Sequence, residues 1–478
     1  MKSQSLKNKA VNGVYWSAID RFASQGISFV ISIVIARLLS PHDYGLMAMV
    51  AIFISISQAF IDSGLSSAIV RKTDRTQKDL STAFYTNVII GLFCYIILFF
   101  TAPLIADFYE EKDLISIVRV MGIIFFLFSF SNIQQAVLTI KLDFKTKTKI
   151  SLLSVLLSGT LGVIIAYKGL GVWALIIQQV TFALFRTTLL WAYVKWKPLL
   201  TFSYQSFKEL FSFGSKILIT SLLNSIFNNL YTIVIGKLFS ASSLGFYSRA
   251  EQFAQFPSSN ITNIIKGVTF PTMAVIQDEE NRFKANFYKI QKIITFIIFP
   301  LILGLATVAS PLVFILLSDK WMFSAKLLQI ICLALMWYPI YTQNLNLLEV
   351  KGHSSYILAS EAMSKILSIG LLFLLLPNGI IAVCWGQVFA NIINVLISTY
   401  FVKKVIQDSY YRLFSVIAMN LITSVVMAMI CFVIKGFIKV PFFQLSACII
   451  IGGLIYVILH YLFNRTYLMM FINLILKK

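Results

Sequence analysis

Fourteen long apolar stretches, separated by short polar gaps, run the length of this 478-residue chain. A helix needs about 20 mostly apolar residues to cross the hydrocarbon core of a bilayer. The stretches at 12–38, 44–68, 82–107, 113–139, 150–167, 171–194, 214–238, 243–276, 286–317, 323–348, 355–376, 380–402, 411–436 and 442–463 have roughly that length or more. The pattern predicts an all-α, multi-pass membrane protein of about 14 transmembrane helices. The opening Lys2, Lys7 and Lys9 before an apolar run resemble a signal peptide, but Asp20 and Arg21 interrupt that run. No small-residue cleavage site follows, so the segment reads as a retained first span.

Composition agrees with this. Hydrophobic residues are 58% of the chain and charged residues 12%, more apolar surface than a soluble domain of this size can hide. The net charge of +21 would suggest nucleic acid in a soluble protein. Here the bases stand at span ends, where anionic lipid and insertion topology account for them, so no nucleic-acid partner is expected. Sorted by gap, 26 Lys and Arg fall on the side of the N-terminus and 8 on the other, where Asp107, Glu110, Glu111 and Asp113 also cluster. Both termini are therefore expected in the cytoplasm. Cys94, Cys332, Cys384, Cys431 and Cys448 all lie inside apolar stretches without metal-ligand spacing, and read as small core residues.

The chain also repeats itself at an offset of about 200 residues. Ile33-Val34-Ile35-Ala36-Arg37-Leu38-Leu39-Ser40 with Gly45 matches Ile233-Val234-Ile235-Gly236-Lys237-Leu238-Phe239-Ser240 with Gly245. Gly171-Val172 with Ala174, Gln179 and Val180 matches Gly379-Ile380 with Ala382, Gln387 and Val388. Each copy holds six spans, an even number, so the copies are parallel, a transporter signature. The expected organisation is a first lobe at 1–200, an amphipathic linker at 201–213, a second lobe at 214–402, and two extra spans with a tail at 403–478.

Charges inside spans are the candidates for function, because each costs about 2.5–3.5 kcal/mol at the bilayer centre. Six bases (Arg21, Arg119, Arg186, Arg249, Lys266, Lys365) and four acids (Asp20, Asp62, Glu251, Glu361) qualify. Arg119 and Arg186 stand about two turns from span ends and can snorkel. Glu361 and Lys365 are spaced to pair along one helix face. Asp62 precedes Ser63-Gly64 near a span end, which suits a cap as well as a functional role. Asp20 and Arg21 are neighbours that point in different directions and cannot simply cancel. The eighth span is the least lipid-like, with Arg249, Glu251, Gln252, Gln255, Asn260, Asn263 and Lys266 around Pro257; such a helix is expected to line water or a polar ligand. Asn224, Asn228 and Asn229 in the seventh span, and Gln343, Asn344 and Asn346 in the tenth, are expected to extend that lining, hydrogen bonding between helices being the alternative. The predicted substrate-binding set is Asp20, Arg21, Asn228, Arg249, Glu251, Asn260, Lys266 and Lys365. A small cationic excess beside many amides suits a phosphorylated ligand rich in hydroxyls.

No nucleotide-binding loop, HExxH, nucleophile elbow or dinucleotide loop is present, and no gap on the outer side is long enough for a catalytic domain. Neither an enzyme nor a cofactor is predicted.

Ala36-Arg37-Leu38-Leu39-Ser40-Pro41 with Tyr44-Gly45, Asp62-Ser63-Gly64-Leu65, Ser81-Thr82-Ala83-Phe84, Tyr247-Ser248-Arg249-Ala250, Phe270-Pro271, Lys320-Trp321 and Lys351-Gly352 together resemble the polysaccharide transporter family. It belongs to the multidrug/oligosaccharidyl-lipid/polysaccharide exporter superfamily and includes Wzx-type O-antigen, capsule and exopolysaccharide flippases. The resemblance implies a V-shaped core of two six-helix lobes plus two extra helices, in the bacterial cytoplasmic membrane. It implies transfer of undecaprenyl-diphosphate-linked repeat units to the outer leaflet by alternating access. Membrane potential, an H+ or Na+ gradient or downstream polymerisation would drive it, with a polymerase and other polysaccharide-assembly proteins as partners. Related flippases hold the anionic head group with bases in a central cavity, and Arg21, Arg249 and Lys266 stand at comparable places here. A multidrug or organic-cation antiporter of the same superfamily is the alternative, which the cationic excess opposes; a membrane polymerase or ligase is the rival from another class.

Overall fold

In a computed structural model the chain is described from residue 13 to residue 465, apart from 14, 18, 63 and 464. The side chains of Arg21, Asp62 and Lys216 lie outside the described atoms, and the terminal lysines lie outside the described residues. No strand occurs among the described residues. Hydrocarbon offers backbone amides no partner, so each crossing segment must satisfy its own, and only the helix does so within one segment.

The chain forms two compact units, 1–245 and 246–478. The first contains a π-helical turn at Asp20–Ser24 leading into α1 (Gln25–Leu38), then α2 (Pro41–Asp62), α3 (Leu65–Arg71), α4 (Gln77–Tyr109), α5 (Leu114–Ile140), α6 (Phe144–Tyr167), α7 (Trp173–Tyr193), α8 (Tyr204–Asn228) and α9 (Leu230–Leu238). The division falls inside α10 (Ala241–Val275). The second unit continues through α11 (Glu280–Thr307), α12 (Ala309–Leu317), α13 (Met322–Leu335), α14 (Tyr338–Val350), α15 (Ser354–Leu375), α16 (Ile380–Ile406), α17 (Tyr410–Phe437) and α18 (Pro441–Phe463).

Thirteen helical segments among the described residues are long and apolar enough to cross a membrane. The fourteenth expected span is α10, whose 35 residues are ample at about 1.5 Å each; its polar side chains set it apart. Four expected spans are broken, the second of them between α2 and α3, where Gly64 is left-handed. The seventh breaks at Asn229, the ninth at Val308 and the tenth around Met336. The amphipathic stretch before the seventh span is its own first turns: α8 runs unbroken from Tyr204, burying Leu210 against Leu65, Ile69, Phe84 and Leu190. For that reason α8 and α9 pack on α2, α3 and α4 in the first unit, although by repeat they belong to the second copy.

Within the first unit α4 lies along α5, α6 along α7, and α1 along α6. In the second, α11 packs on α17, and α13, α14 and α15 on α16. Cys431 and Cys448 are buried with Val308, Met427 and Tyr456, the core role expected of them. Outward faces carry large exposed apolar residues such as Phe100, Leu104 and Ile449, which lipid covers in a multi-pass protein.

The duplicated segments fold alike. Helix α1 ends at Leu38 and α9 at Leu238; one extended residue follows, Leu39 or Phe239, whose N–H returns to Ile35 O (2.9 Å) or Ile235 O (3.0 Å). Ser40 and Ser240 then cap the next helices, Asp43 N donating to Ser40 Oγ (3.3 Å) and Ser243 N to Ser240 Oγ (3.1 Å). These twin corners cross. A Cβ on Gly45 would stand 1.8 Å from Ala241 O, and one on Gly245 would stand 1.8 Å from Pro41 O. Close by in sequence, Lys237 Nζ donates to Glu110 Oε1 at 2.8 Å. That hydrogen bond, with the ammonium charge, holds the Glu110 carboxyl below the usual carboxylate range.

Gly45→Ala and Gly245→Ala should each lower the melting temperature of the detergent-purified protein, since overpacking against main chain costs about 1–3 kcal/mol. Gly436→Ala, where a Cβ meets nothing within 4 Å, should match or exceed wild type. Equal melting of Gly45→Ala and wild type would show that the crossing relaxes freely.

Candidate functional site

Helix α10 gathers half of the predicted residues, Arg249, Glu251, Asn260 and Lys266. Its sequence would not fold as a lipid-facing helix: Pro257 and Pro271 lie inside it, and its polar side chains cover much of its surface. Part of that polarity turns inward. Ser258 Oγ donates to Leu335 O of α13 (3.0 Å), and buried Thr262 donates to Ser258 O (2.6 Å). The rest presents charge and amides. Arg249 is 4% exposed and donates Nη1 to Gln252 Oε1. Glu251, half-buried, accepts from the hydroxyl of fully buried Tyr247 at 3.3 Å. Gln252, Gln255 and Asn263 are exposed. Asn260 bonds its own helix through Phe256 O at 2.8 Å.

Lys266 carries less uncompensated charge than a midspan lysine, because its Nζ lies 3.3 Å from Glu349 Oε2, near the end of α14, with the two side chains 44% and 50% exposed. Lys365 pairs with Glu361 at 3.5 Å, the i, i+4 contact expected. Asn228 is exposed at the end of α8. Asp20 accepts from Ser24 Oγ at 3.0 Å, and Ser24 meets Ser151 of α6 at 3.1 Å. Arg21 lies in the same π-turn, and its side chain is outside the described atoms. Within the second unit, Arg249, Glu251, Asn260 and Lys266 thus share one helix; Asp20, Arg21 and Asn228 belong to the first unit.

One expectation is corrected. Gln343, Asn344 and Asn346 line no opening: they are 3%, 2% and 0% exposed. Gln291 Nε2 donates to Asn344 Oδ1 (3.0 Å), while Asn344 Nδ2 donates to Ser398 Oγ (3.0 Å) and Thr399 Oγ1 (3.1 Å). Asn420 Nδ2 donates to Thr295 Oγ1 at 2.8 Å. These amides tie α11, α14, α16 and α17 together, because a buried amide without a partner costs more than the bond itself returns.

Sequence reasoning also passed over a group in the first unit. Lys147 counted among the gap lysines, yet it stands in the first turn of α6, on the helix that carries Ser151. Arg186 donates Nη2 to Gln135 Oε1 of α5 at 2.6 Å, with Phe128 and Phe182 beneath its guanidinium at 5.6 and 5.9 Å. The spacing of Lys147 and Ser151, one turn apart, was the available signal. Arg119, by contrast, reaches Phe99 O at 3.4 Å and stacks on the Phe99 ring at 4.5 Å, an anchoring contact. Among the described residues no group of three His, Cys, Asp or Glu converges as a metal site.

Comparison with known proteins places these features. A family described as polysaccharide biosynthesis protein matches residues 34–326. The teichuronic acid biosynthesis protein TuaB of Bacillus subtilis is 26% identical over 90% of this chain and 89% of its own length. The lipopolysaccharide biosynthesis protein WzxC of Escherichia coli is 27% identical over 85% and 84%. Among solved structures, the lipid II flippase MurJ in an inward closed conformation superposes with a TM-score of 0.76 at 17% identity, covering 95% of this chain and 99% of that one; this likeness is one of fold.

Asn344→Ala should lower the melting temperature by the equivalent of about 1–2 kcal/mol, whereas Asn263→Ala on the exposed face of α10 should leave it unchanged. Equal melting of Asn344→Ala and wild type would return Asn344 to the list of lining residues.

Proposed function

We propose, from the premise that this chain belongs to the polysaccharide biosynthesis protein family, that it is a flippase. It moves undecaprenyl-diphosphate-linked oligosaccharide repeat units across the cytoplasmic membrane for surface polysaccharide assembly. The observation that carries the reading is the family match over residues 34–326. The names of TuaB and WzxC as biosynthesis proteins of surface glycans, and a fold shared with a lipid II flippase, support it.

The mechanism is transfer without chemistry. A glycan-diphosphate head carries many hydroxyls and at least two negative charges, and its desolvation in hydrocarbon is prohibitive. The polyprenyl tail needs no protein to stay in the bilayer. The work is therefore to shelter the head, and a duplicated helical bundle does so by alternating access. The duplicated segments, 1–200 and 214–402, are the two halves of that cycle; 403–478 lies outside the repeat. Both termini are cytoplasmic on the bias of Lys and Arg.

Arg249 supplies a forked cation for phosphate, and Asn260 and Glu251 meet sugar hydroxyls. Lys266, Lys365, Asp20, Arg21 and Asn228 complete the proposed substrate-binding set. An H+ or Na+ gradient is a compatible drive, and a polysaccharide polymerase is the consumer of the product.

Deleting the gene should strand single lipid-linked repeat units on the cytoplasmic face, measured by accessibility of the sugars in sealed inverted vesicles. Loss of a polymerase would instead leave them on the outer face, and that outcome would overturn the flippase reading. Export should return with wild type and fall at least tenfold with an Arg21→Ala, Arg249→Ala double variant that retains its melting temperature; full export would remove these arginines from the binding role.

A further inference from the structure

The chain that joins the two halves is not slack. Residues 194–203 form neither helix nor strand and contain no glycine, so their main-chain groups must find partners elsewhere. They find them on the first two turns of α4. Gln77 Nε2 donates to Lys197 O (2.9 Å), and Gln77 Oε1 accepts from the Trp196 indole (2.8 Å). Leu199 N donates to Ser81 Oγ (2.9 Å), and Ser203 N to Thr82 Oγ1 (3.0 Å). Both hydroxyls are buried, and each donates its own proton to the carbonyl four residues back, Gln77 O (2.9 Å) or Lys78 O (2.8 Å). With the proton committed there, each oxygen is left aimed at the connector as an acceptor.

The fastening continues on either side. The Trp196 ring lies edge-on to Phe84 at 5.9 Å, as does that of Trp191. Ser203 Oγ accepts from Ser206 N (3.2 Å) and so caps α8. Glu209 meets Lys72 Nζ at 2.9 Å, and Leu210 is buried with Leu65, Ile69 and Phe84. Ser203 therefore ends the connector and starts the seventh span. A span of the second half begins at a point set by the first. Halves that rock against each other pull on whatever joins them. A flexible Gly/Ser linker would take up that movement; a connector held by these bonds does not. Beyond it the chain first departs from the helix at Asn229, after α8.

We infer that Gln77, Ser81 and Thr82 are positioning residues for transfer. They keep the connector and α8 fastened to the first half through the whole cycle, so that the bend between the halves falls beyond α8. Their role is placement of that span, not contact with substrate. This rests on the flippase reading and adds to it which part of the chain stays still.

Full-length protein in lipid nanodiscs would be followed by hydrogen exchange over 196–206 and by native mass spectrometry with undecaprenyl diphosphate, and export would be measured in the deletion strain. A Ser81→Ala, Thr82→Val double variant should exchange the amides of Leu199 and Ser203 about tenfold faster or more. It should bind undecaprenyl diphosphate within about threefold of wild type yet lose export by about fivefold or more, a split between binding and turnover. Ser81→Thr with Thr82→Ser, which keeps both hydroxyls, should export as wild type does. If the double variant does not fold, Ser81→Ala alone decides the matter, with faster exchange at Leu199 and about a twofold loss of export or more. Full export with the connector released overturns the inference, as does exchange no faster than in wild type. A loss of affinity equal to the loss of export overturns it too, since the clamp would then shape the binding site. Any of these results while wild type restores export sinks the clamp alone. Wild type that does not restore export sinks the flippase reading with it.

Discussion

Hydrocarbon supplies no partner for a polar group, so every charge and amide within the spans must find one in the protein or in water that the protein admits. That constraint arranges most of the polar side chains described. Arg249 rests on Gln252, Arg186 on Gln135, Lys266 on Glu349 and Lys365 on Glu361. Asn344 finds three side-chain partners on two helices. Where the partner is buried, the group fastens helices; where it remains half-exposed, as for Lys266, the pair is weak and free to exchange toward a ligand. Only the second kind is useful for transport. The division between scaffold and site therefore follows from the burial of the partner, not from residue type.

The duplication sets the second constraint. Two corners of similar sequence, at 37–45 and 237–245, meet at a separation that admits only glycine on each side. The relation is reciprocal: each glycine lies against the carbonyl of the first residue of the other helix. Such a contact cannot be shifted gradually, because main-chain atoms do not repack as side chains do. It defines one arrangement of α2 against the start of α10.

Much of this was legible in the chain. Apolar run length gave the spans, and α18, expected at 442–463, is found at Pro441–Phe463. The 200-residue offset located the twin corners, and i, i+4 spacing located the Glu361–Lys365 pair. What the sequence withheld is rotation about the helix axis and depth. Hydropathy cannot say that Asn344 points toward α16, because an amide that fastens helices and one that lines water look alike. Nor does it level Lys266 with Glu349, 83 residues apart. The breaks at Val308 and Met336 were legible in principle: Pro311 and Pro339 each lack the N–H and crowd the carbonyl four residues back, at Thr307 and Leu335, where α11 and α13 end.

An amphiphile with a charged, hydrated head and a very long apolar tail asks opposite things of its carrier. The tail is best served by a smooth apolar exterior, which α15, α17 and α18 present through residues such as Leu374, Phe437 and Leu454. The head needs fixed donors whose own partners are weak enough to be given up. Tight binding of the head on either side would arrest the cycle, since only a difference in affinity between two states moves a population. Cations held by half-exposed carboxylates meet that need better than cations locked in buried ion pairs, and the Lys266–Glu349 pair, 44% and 50% exposed, is of the looser kind. A diphosphate can outbid a half-exposed carboxylate for a cation and still depart when hydration returns, which is the chemical condition for carrying a glycolipid across without changing it.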